Sequence, residues 1–266
     1  MKRVILAGVL AISLYACKKT VHLNLDKAAP QIVIEGEVTD DTTGPYSVRV
    51  NRSVSFYSEN SFPPVSGASI KISDNEGHVD SLVESTPGLY TTQTLKGKPG
   101  NTYTLSVMSQ DTLYTAVSTM PQPVKLDSVT FNRNTGRRGG KNDIAAVPNF
   151  QDPAGIANYY QFVEYLDGTL LNKDIFVFDD RLSDGRYITR SLRNDSAYLQ
   201  PGDRLEVRMY CIDKPIYDYF NELDQSTSGG AFNTSASPTN PISNISNGAL
   251  GYFSAHTIRS ITTTVH

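Results

Sequence analysis

The sequence contains no tryptophan, only two cysteines and only four histidines. The histidines, His22, His78, His256 and His266, lie too far apart in the sequence to form a metal-ligand motif. The sequence also lacks a GxSxG, HExxH, Walker, CxxC or EF-hand motif. We therefore expect no metal site, no cofactor and no enzymatic activity.

Long hydrophobic runs are also scarce, and the one that occurs lies at the start of the chain. Lys2 and Arg3 precede the apolar residues 4–15, and Ala16 and Cys17 follow them. About a dozen apolar residues are too few for a transmembrane helix, which needs roughly 20. This order is typical of a lipoprotein signal peptide. We expect residues 1–16 to be removed and Cys17 to carry acyl chains, including palmitate, that attach the protein to a lipid bilayer.

Acylation of Cys17 would leave Cys211 as the only thiol, so no intrachain disulfide could form and hydrophobic cores would have to hold the fold. Cys211 lies in an apolar strand-like run, which indicates a buried packing residue. The net charge of −3 becomes more negative when Lys2 and Arg3 are removed, and the basic cluster at residues 137–141 lies in a glycine-rich turn. No nucleic-acid partner is expected.

Short segments rich in Val, Ile, Thr and Tyr dominate the chain after a tether at residues 17–30. They predict strands at 31–38, 46–50, 68–72, 103–109, 112–118, 124–131, 158–165, 170–178, 204–212 and 251–265. Pro121 and Pro123 mark a domain boundary. The predicted fold is mainly β: an N-terminal immunoglobulin/transthyretin-like β-sandwich at residues 31–121, then a β-rich domain at residues 122–266 with one short helix.

Two turns support the first sandwich. Tyr103 follows a Pro-Gly turn at residues 99–100, as does the tyrosine of an immunoglobulin-type corner, whose hydroxyl bonds to the backbone across the loop. Residues 74–77 predict a hairpin turn. A second Pro-Gly turn at residues 201–202 precedes Leu205 instead of a tyrosine, so either a divergent second sandwich or an ordinary strand entry fits it.

One helix is predicted after Asp213, which can cap its first turn. Ile216, Tyr219, Phe220 and Leu223 fall on one helical face, which either packs on a sheet or forms a ligand platform.

The segment that follows the helix, residues 225–251, is rich in Ser, Asn, Gly and Pro and is long for a simple connection. Phe232 and Ile245 within it either contact a partner protein or pack beneath the loop.

Paired carboxylates and tyrosines are the remaining candidates for chemistry. Residues 40–41 and 179–180 are Asp-Asp pairs, for which solvated turns or calcium binding are the alternatives. Tyr159, Tyr160 and Tyr165 suggest either cross-strand packing or an aromatic surface for sugar.

The C-terminal string at residues 240–258 reads NPISNISNGALGYFSAHTI. Together with the lipoprotein box and the strings IVIEGEVTD, PVSGASIKISDNEG, GNTYTLSV and DPAGIANYY, it resembles an uncharacterised family of Bacteroidota outer-membrane lipoproteins, often encoded beside TonB-dependent receptors. The resemblance implies an outer-membrane location and a TonB-dependent receptor as a partner. Lys18 and Lys19 replace the acidic residues of the usual surface-export signal, so a surface-exposed or a periplasm-facing anchor fits.

The resemblance also implies O-glycosylation at Asp-Ser/Thr sites, because bacteria of this group modify exported proteins there. The matching positions are Thr42, Ser81, Thr112, Ser128 and Ser196.

Three functions therefore stand as hypotheses. The first is a lipid-anchored binding or accessory protein of a TonB-dependent transporter in nutrient uptake. The second is a glycan-active enzyme, and the third is a structural adhesin of the cell envelope.

Overall fold

The computed structural model describes residues 29–54, 62–134, 143–192, 199–227 and 240–266. The predicted signal peptide, Cys17, Ser196 and Phe232 lie outside these residues. The described strands are β1 Ile32–Thr39, β2 Ser47–Arg52, β3 Ser69–Asp74, β4 Val79–Ser81, β5 Val83–Thr86, β6 Leu89–Thr91, β7 Thr102–Ser109, β8 Thr112–Thr119, β9 Ser128–Asn134, β10 Asp143–Gln151, β11 Tyr159–Leu166, β12 Thr169–Asp179, β13 Tyr187–Thr189, β14 Arg204–Ile212 and β15 Leu250–Thr264; the helix α1 is Lys214–Thr227.

The mainly β fold class is confirmed, and all ten predicted strands overlap observed ones. They were predictable because they alternate between buried and exposed positions. The strands that the sequence did not indicate are β4, β5, β6, β10 and β13. Four of these, β4, β5, β6 and β13, are only three or four residues long, which is too short to show a period of two. The fifth, β10, contains Pro148 within a run of mostly buried residues and therefore does not alternate either.

A single eight-stranded sheet runs through both halves of the chain in the order β12-β11-β14-β15-β1-β2-β6-β5. A four-stranded sheet, β4-β3-β7-β8, packs with one half of it to enclose a first core. A three-stranded sheet, β13-β10-β9, packs with the other half to enclose a second core. The two cores therefore share one sheet.

The strand β15 connects the two halves, because it pairs with one strand from each of them. It runs parallel to β1 and antiparallel to β14. Its Phe253 and Ala255 belong to the first core, whereas its Ile261 packs against the second, in which the next residue after the strand, Val265, is buried. A parallel pair needs a long crossover, here more than 200 residues, which local sequence patterns cannot register.

The Tyr103 corner has the predicted hydrogen bond. Tyr103 is fully buried, and its hydroxyl accepts a hydrogen bond from the backbone N–H of Lys98 at 2.7 Å. The hairpin turn also forms, since the N–H of Asp74 donates to the carbonyl of His78 at 3.0 Å and Gly77 has a positive φ of 94°. Both local turns are thus fixed by the residue types that predicted them.

The segment before β15 fastens that strand to the first core. The amide of Asn244 pairs with the backbone of Phe253 in both directions, at 2.8 Å and 3.0 Å, as a neighbouring strand would. The N–H of Ser246 donates to the carbonyl of Thr115 on β8, the Ser246 hydroxyl accepts the N–H of Thr115, and Ile245 forms a β-bridge with Ala116. This arrangement explains the Ser-Asn-Ile run of the C-terminal string, because each residue supplies a contact that a regular strand would otherwise make.

Helix α1 begins as predicted. The carboxylate of Asp213 accepts the N–H of Ile216 at 3.3 Å, and its other oxygen accepts the Ser118 hydroxyl and the Thr119 N–H from β8. Asp213 therefore caps the helix and ties it to the first core at once. Within the described parts of the chain, no helix combines the length and apolar character needed to cross a bilayer.

Candidate functional site

The eight-stranded sheet has two unlike faces because successive side chains of a strand point to opposite sides. Inner-face residues such as Val207 and Met209 on β14 are fully buried in the cores. The outer face instead carries polar and aromatic side chains from four adjacent strands. They are Glu35 and Glu37 on β1, Tyr252, Ser254 and His256 on β15, Arg208 and Tyr210 on β14, and Gln161 and Tyr165 on β11.

Helix α1 covers one end of this outer face. The rings of Tyr219 and Phe220 lie 5.2 Å and 5.0 Å from that of Tyr252, and Tyr217 lies 5.2 Å from Tyr159. The apolar helix face therefore packs on the sheet, which is one of the two alternatives that its sequence spacing left open.

A recess of about 440 Å³, which we call the α1 recess, opens beside these contacts. The residues that line it are Glu37, Gln161, Phe162, Val163, Tyr165, Leu170, Leu171, Asp174, Ile175, Tyr210, Phe220, Leu223, Tyr252, Ser254 and His256. The helix stripe thus supplies one wall of the recess, and the sheet supplies its floor. Its volume falls within the range of about 300–1,000 Å³ that is usual for small-molecule pockets.

His256 is the most unusual residue of the recess. Its side chain is 4 % exposed, and its Nδ1 lies 3.0 Å from the Ser254 hydroxyl. Nε2 has no hydrogen-bond partner among the described residues. Burial lowers the pKa of His256 to about 4, so the ring is neutral at pH 7. A buried nitrogen without a partner costs free energy that a bound polar group would recover.

The charges around the recess are unevenly distributed. Glu37 reaches solvent at the mouth, yet the surrounding protein desolvates its carboxylate and raises its pKa, an effect that Arg208 partly offsets. The Arg208 guanidinium is held by Glu206 at 2.7 Å and lies 4.2 Å from the centre of the Tyr165 ring. Desolvation raises the pKa values of Tyr210 and Tyr252, so both keep their hydroxyl protons.

The three tyrosines proposed as an aromatic surface do not form one. Tyr165 lines the recess, and Tyr159 stacks with the helix. Tyr160 points to the opposite face, where it is fully buried and donates its hydroxyl to Asp152. Adjacent strand residues cannot share a face, so only part of that set could reach a ligand.

The Asp-Asp pairs serve as loop and strand contacts. Asp40 accepts the N–H of Ile258 and pairs with Arg259 at 2.7 Å, whereas Asp41 accepts the N–H of Thr43 in a turn. Asp179 pairs with Arg181 at 2.7 Å.

Two clusters of candidate metal ligands lie elsewhere in the described chain. Asp180 lies with Asp152 and Asp184, and each of the three offers an oxygen within 4.8 Å of the others. These carboxylates also accept backbone N–H groups of the facing loops: Asn158 binds Asp180, Gly185 binds Asp152, and Gly155 binds Asp184. The other cluster, residues 74, 76 and 78, lies in the exposed β3–β4 turn. Of these residues the sequence singled out only Asp180 as a candidate ligand, in an Asp-Asp pair for which calcium binding was one alternative, because the rest of the first cluster comes from other positions in the chain.

The remaining predicted positions are distributed over the surface and the cores. Ile245 is 6 % exposed and packs in the first core. This position agrees with the alternative in which Ile245 packs beneath the loop instead of contacting a partner protein. Cys211 is buried in the second core, and burial raises the pKa of its thiol, as a packing residue requires. Among the glycosylation candidates, Thr42 and Ser81 are exposed, whereas Thr112 and Ser128 are half-buried.

Apart from Tyr165, Phe220 and Leu223, the recess residues were missed from the sequence, because they come from strands that are distant in the chain. The local signal was an alternation of residue types, in which Glu35 and Glu37 interrupt an apolar strand, and in which Tyr252, Ser254 and His256 alternate with small or apolar residues. This alternation identifies an outward face. Only the parallel pairing of β1 with β15 brings the two outward faces together.

The fold and the recess define a class: a β-rich protein with two cores on one shared sheet and an aromatic recess under its helix. Residues 18–262 match the family described as a domain of unknown function (DUF4249), and the chain therefore belongs to that family. No curated protein matches the chain.

Proposed function

We propose that this protein is a lipid-anchored binding protein of the bacterial outer membrane that holds a small ligand in the α1 recess. In this proposal it serves a TonB-dependent transporter as an accessory subunit in nutrient uptake. The observation that carries the binding role is the recess itself, with its aromatic walls and the unpartnered Nε2 of His256. Concave sites with aromatic linings and a few placed polar groups are typical of ligand binding.

The lipid anchor and the transporter partner rest on the sequence. The charged start, the apolar run and the Ala16-Cys17 pair favour acylation of Cys17. The likeness of the C-terminal string to Bacteroidota lipoproteins favours a TonB-dependent receptor as the neighbour. Phe232 lies in the segment proposed to contact it, whereas the burial of Ile245 favours an internal role for that residue.

The anchor is tested by replacing Cys17. Cys17→Ala is expected to abolish incorporation of labelled palmitate and to release the exported protein from the membrane fraction. Cys211→Ala is the matched control, because that buried thiol should leave labelling unchanged. Equal labelling of the Cys17→Ala variant would contradict the anchor.

The partner is tested by affinity purification of the full-length tagged protein from its own bacterium after crosslinking. A TonB-dependent receptor should be recovered with the lipidated protein and should be depleted when Cys17→Ala is used. Recovery of the protein without such a receptor under conditions that preserve the outer membrane would contradict the accessory role, and would favour a structural adhesin.

A further inference from the structure

The walls of the α1 recess combine ring faces with hydroxyl groups. Tyr165, Tyr210 and Tyr252 line the recess with a ring and a hydroxyl each, while they also pack against Arg208, His256 and the helix rings respectively. Phe220 adds a ring from the helix. Ser254 and Gln161 add groups that both donate and accept hydrogen bonds. Such a surface fits a ligand that has flat C–H faces and a rim of hydroxyl groups.

The buried nitrogen of His256 narrows the ligand class further. Its Nδ1 contacts the Ser254 hydroxyl, and whichever ring nitrogen carries the proton, Nε2 must either donate or accept one hydrogen bond. A ligand hydroxyl can do either. A quaternary ammonium ion or a hydrocarbon can do neither, and would leave the nitrogen without a partner.

The charges of the lining disfavour an anionic ligand. Both charged side chains that line the recess within the described chain, Glu37 and Asp174, are acidic. The nearby Arg208 is already held by Glu206 and by the Tyr165 ring. A phosphate or a carboxylate in the recess would therefore meet like charge.

We infer that the ligand of the α1 recess is a neutral saccharide, an inference that rests on the proposed function. One or two rings of the saccharide lie against the tyrosine rings of the recess. Nε2 of His256 has almost no solvent-exposed surface, so the neighbouring side chains shift when a ligand hydroxyl fills the hydrogen bond that this nitrogen lacks. The recess volume of about 440 Å³ suits one or two sugar rings and is too small to enclose a long polysaccharide.

The test uses the full-length protein in detergent and titrates it with neutral saccharides, namely maltose, cellobiose, lactose, diacetylchitobiose and the methyl glycosides of their sugars. Binding is measured by calorimetry and by saturation-transfer NMR. Glucuronate and tetramethylammonium are titrated in parallel as anionic and cationic probes. We expect at least one neutral saccharide to bind, and to bind more tightly than either charged probe.

Variants locate the binding in the recess. Tyr210→Ala should weaken saccharide binding about tenfold through the loss of one ring contact. Gln161→Ala provides a second, smaller change should Tyr210→Ala fail to fold. Tyr187→Ala is the matched control, because Tyr187 is exposed on β13 and does not line the recess.

Each contrary outcome is distinguishable. If tetramethylammonium or glucuronate binds more tightly than every neutral saccharide, or if no saccharide binds the folded protein, the ligand class is wrong. A receptor that still copurifies in that case leaves the accessory role intact. If a saccharide binds but both recess variants bind it as tightly as the control does, the site is wrong.

Discussion

Tyr103 and His256 are both buried polar side chains, but they differ in whether their polar atoms have hydrogen-bond partners. The Tyr103 hydroxyl closes its corner by accepting the Lys98 N–H at 2.7 Å. The Nε2 of His256 has no partner among the described residues. A satisfied buried group stabilises a fold, whereas an unsatisfied one marks a position at which a ligand can contribute.

Tyr103→Phe should lower the free energy of unfolding by about 0.5–1.5 kcal/mol, because the substitution removes one hydroxyl and leaves the Lys98 N–H without its acceptor. Urea denaturation followed by circular dichroism measures the difference. Tyr187→Phe is the control: its side chain is exposed, so its stability should match that of the wild type. If Tyr103→Phe and the control unfold at the same urea concentration, the corner bond does not stabilise the fold.

His256 should make the protein less stable in acid. Burial lowers its folded pKa to about 4, below the value of about 6.5 in an unfolded chain. Between these two values the unfolded chain binds the additional proton, so the free energy of unfolding falls as the pH is lowered from about 6.5 to about 4.

The size of this effect is up to about 3 kcal/mol across that window. His256→Gln should flatten the dependence of unfolding free energy on pH by that amount, as measured by urea titrations at several pH values. Glu37 has a raised pKa and therefore acts in the opposite direction, but it is present in both proteins and cancels in the comparison. Parallel curves for the two proteins would contradict the assignment.

At the scale of elements, the start of β15 depends on two glycines that differ in their surroundings. Gly251 has a φ of 92°, and a Cβ built on it would lie 2.0 Å from the carbonyl oxygen of Ile34 on β1. Gly248 has a φ of 72°, but a Cβ there would meet nothing within 4 Å. Both positions favour glycine because of their positive φ. Only at Gly251 is the absence of a side chain also required, because a Cβ there would prevent the pairing of β15 with β1.

Gly248→Ala should therefore destabilise the protein by about 1–2 kcal/mol, the cost of a left-handed conformation. Gly251→Ala should cost about 1–3 kcal/mol more, because β1 and β15 must separate to relieve the clash. Thermal unfolding of both variants measures the difference. Equal losses would mean that the β1–β15 contact gives way freely, contrary to the close pairing seen here.

The helix illustrates how an element can be predicted while its role is not. Asp213 and the apolar stripe indicated where α1 begins and which face packs. The same stripe also forms a wall of the recess through Phe220 and Leu223. Its spacing cannot reveal that second role, because the opposing wall comes from strands on both sides of the chain's midpoint.

At the scale of the whole molecule, β15 couples the two cores. Its inner face contributes Phe253 to the first core, its Ile261 packs against the second, and Val265, which directly follows it, is buried in the second. Since both cores pack on one continuous hydrogen-bonded sheet, neither half can lose its packing without exposing an edge of the other.

Calorimetry should accordingly record one unfolding transition. Phe253→Ala removes a fully buried ring from the first core and should destabilise the protein by about 3–5 kcal/mol. The whole transition should move to lower temperature, and signals from second-core residues such as Phe150 should be lost with it. Val83→Ala, on an exposed side chain of β5, is the control. A second transition that stays at the wild-type temperature would show two independent domains.

The sequence by itself determined the β class, the positions of ten strands, the Tyr103 corner, the capped helix and the buried character of Cys211. Each of these depends on neighbours within a few residues, so alternation, turn residues and caps suffice to predict it. Only the tertiary structure decided that β15 pairs with β1, that the two cores share a sheet, and that Glu37, Tyr210 and His256 face one recess. Pairing between residues more than 200 positions apart leaves no local pattern, because the partner of a strand edge is chosen by the packing of the whole sheet.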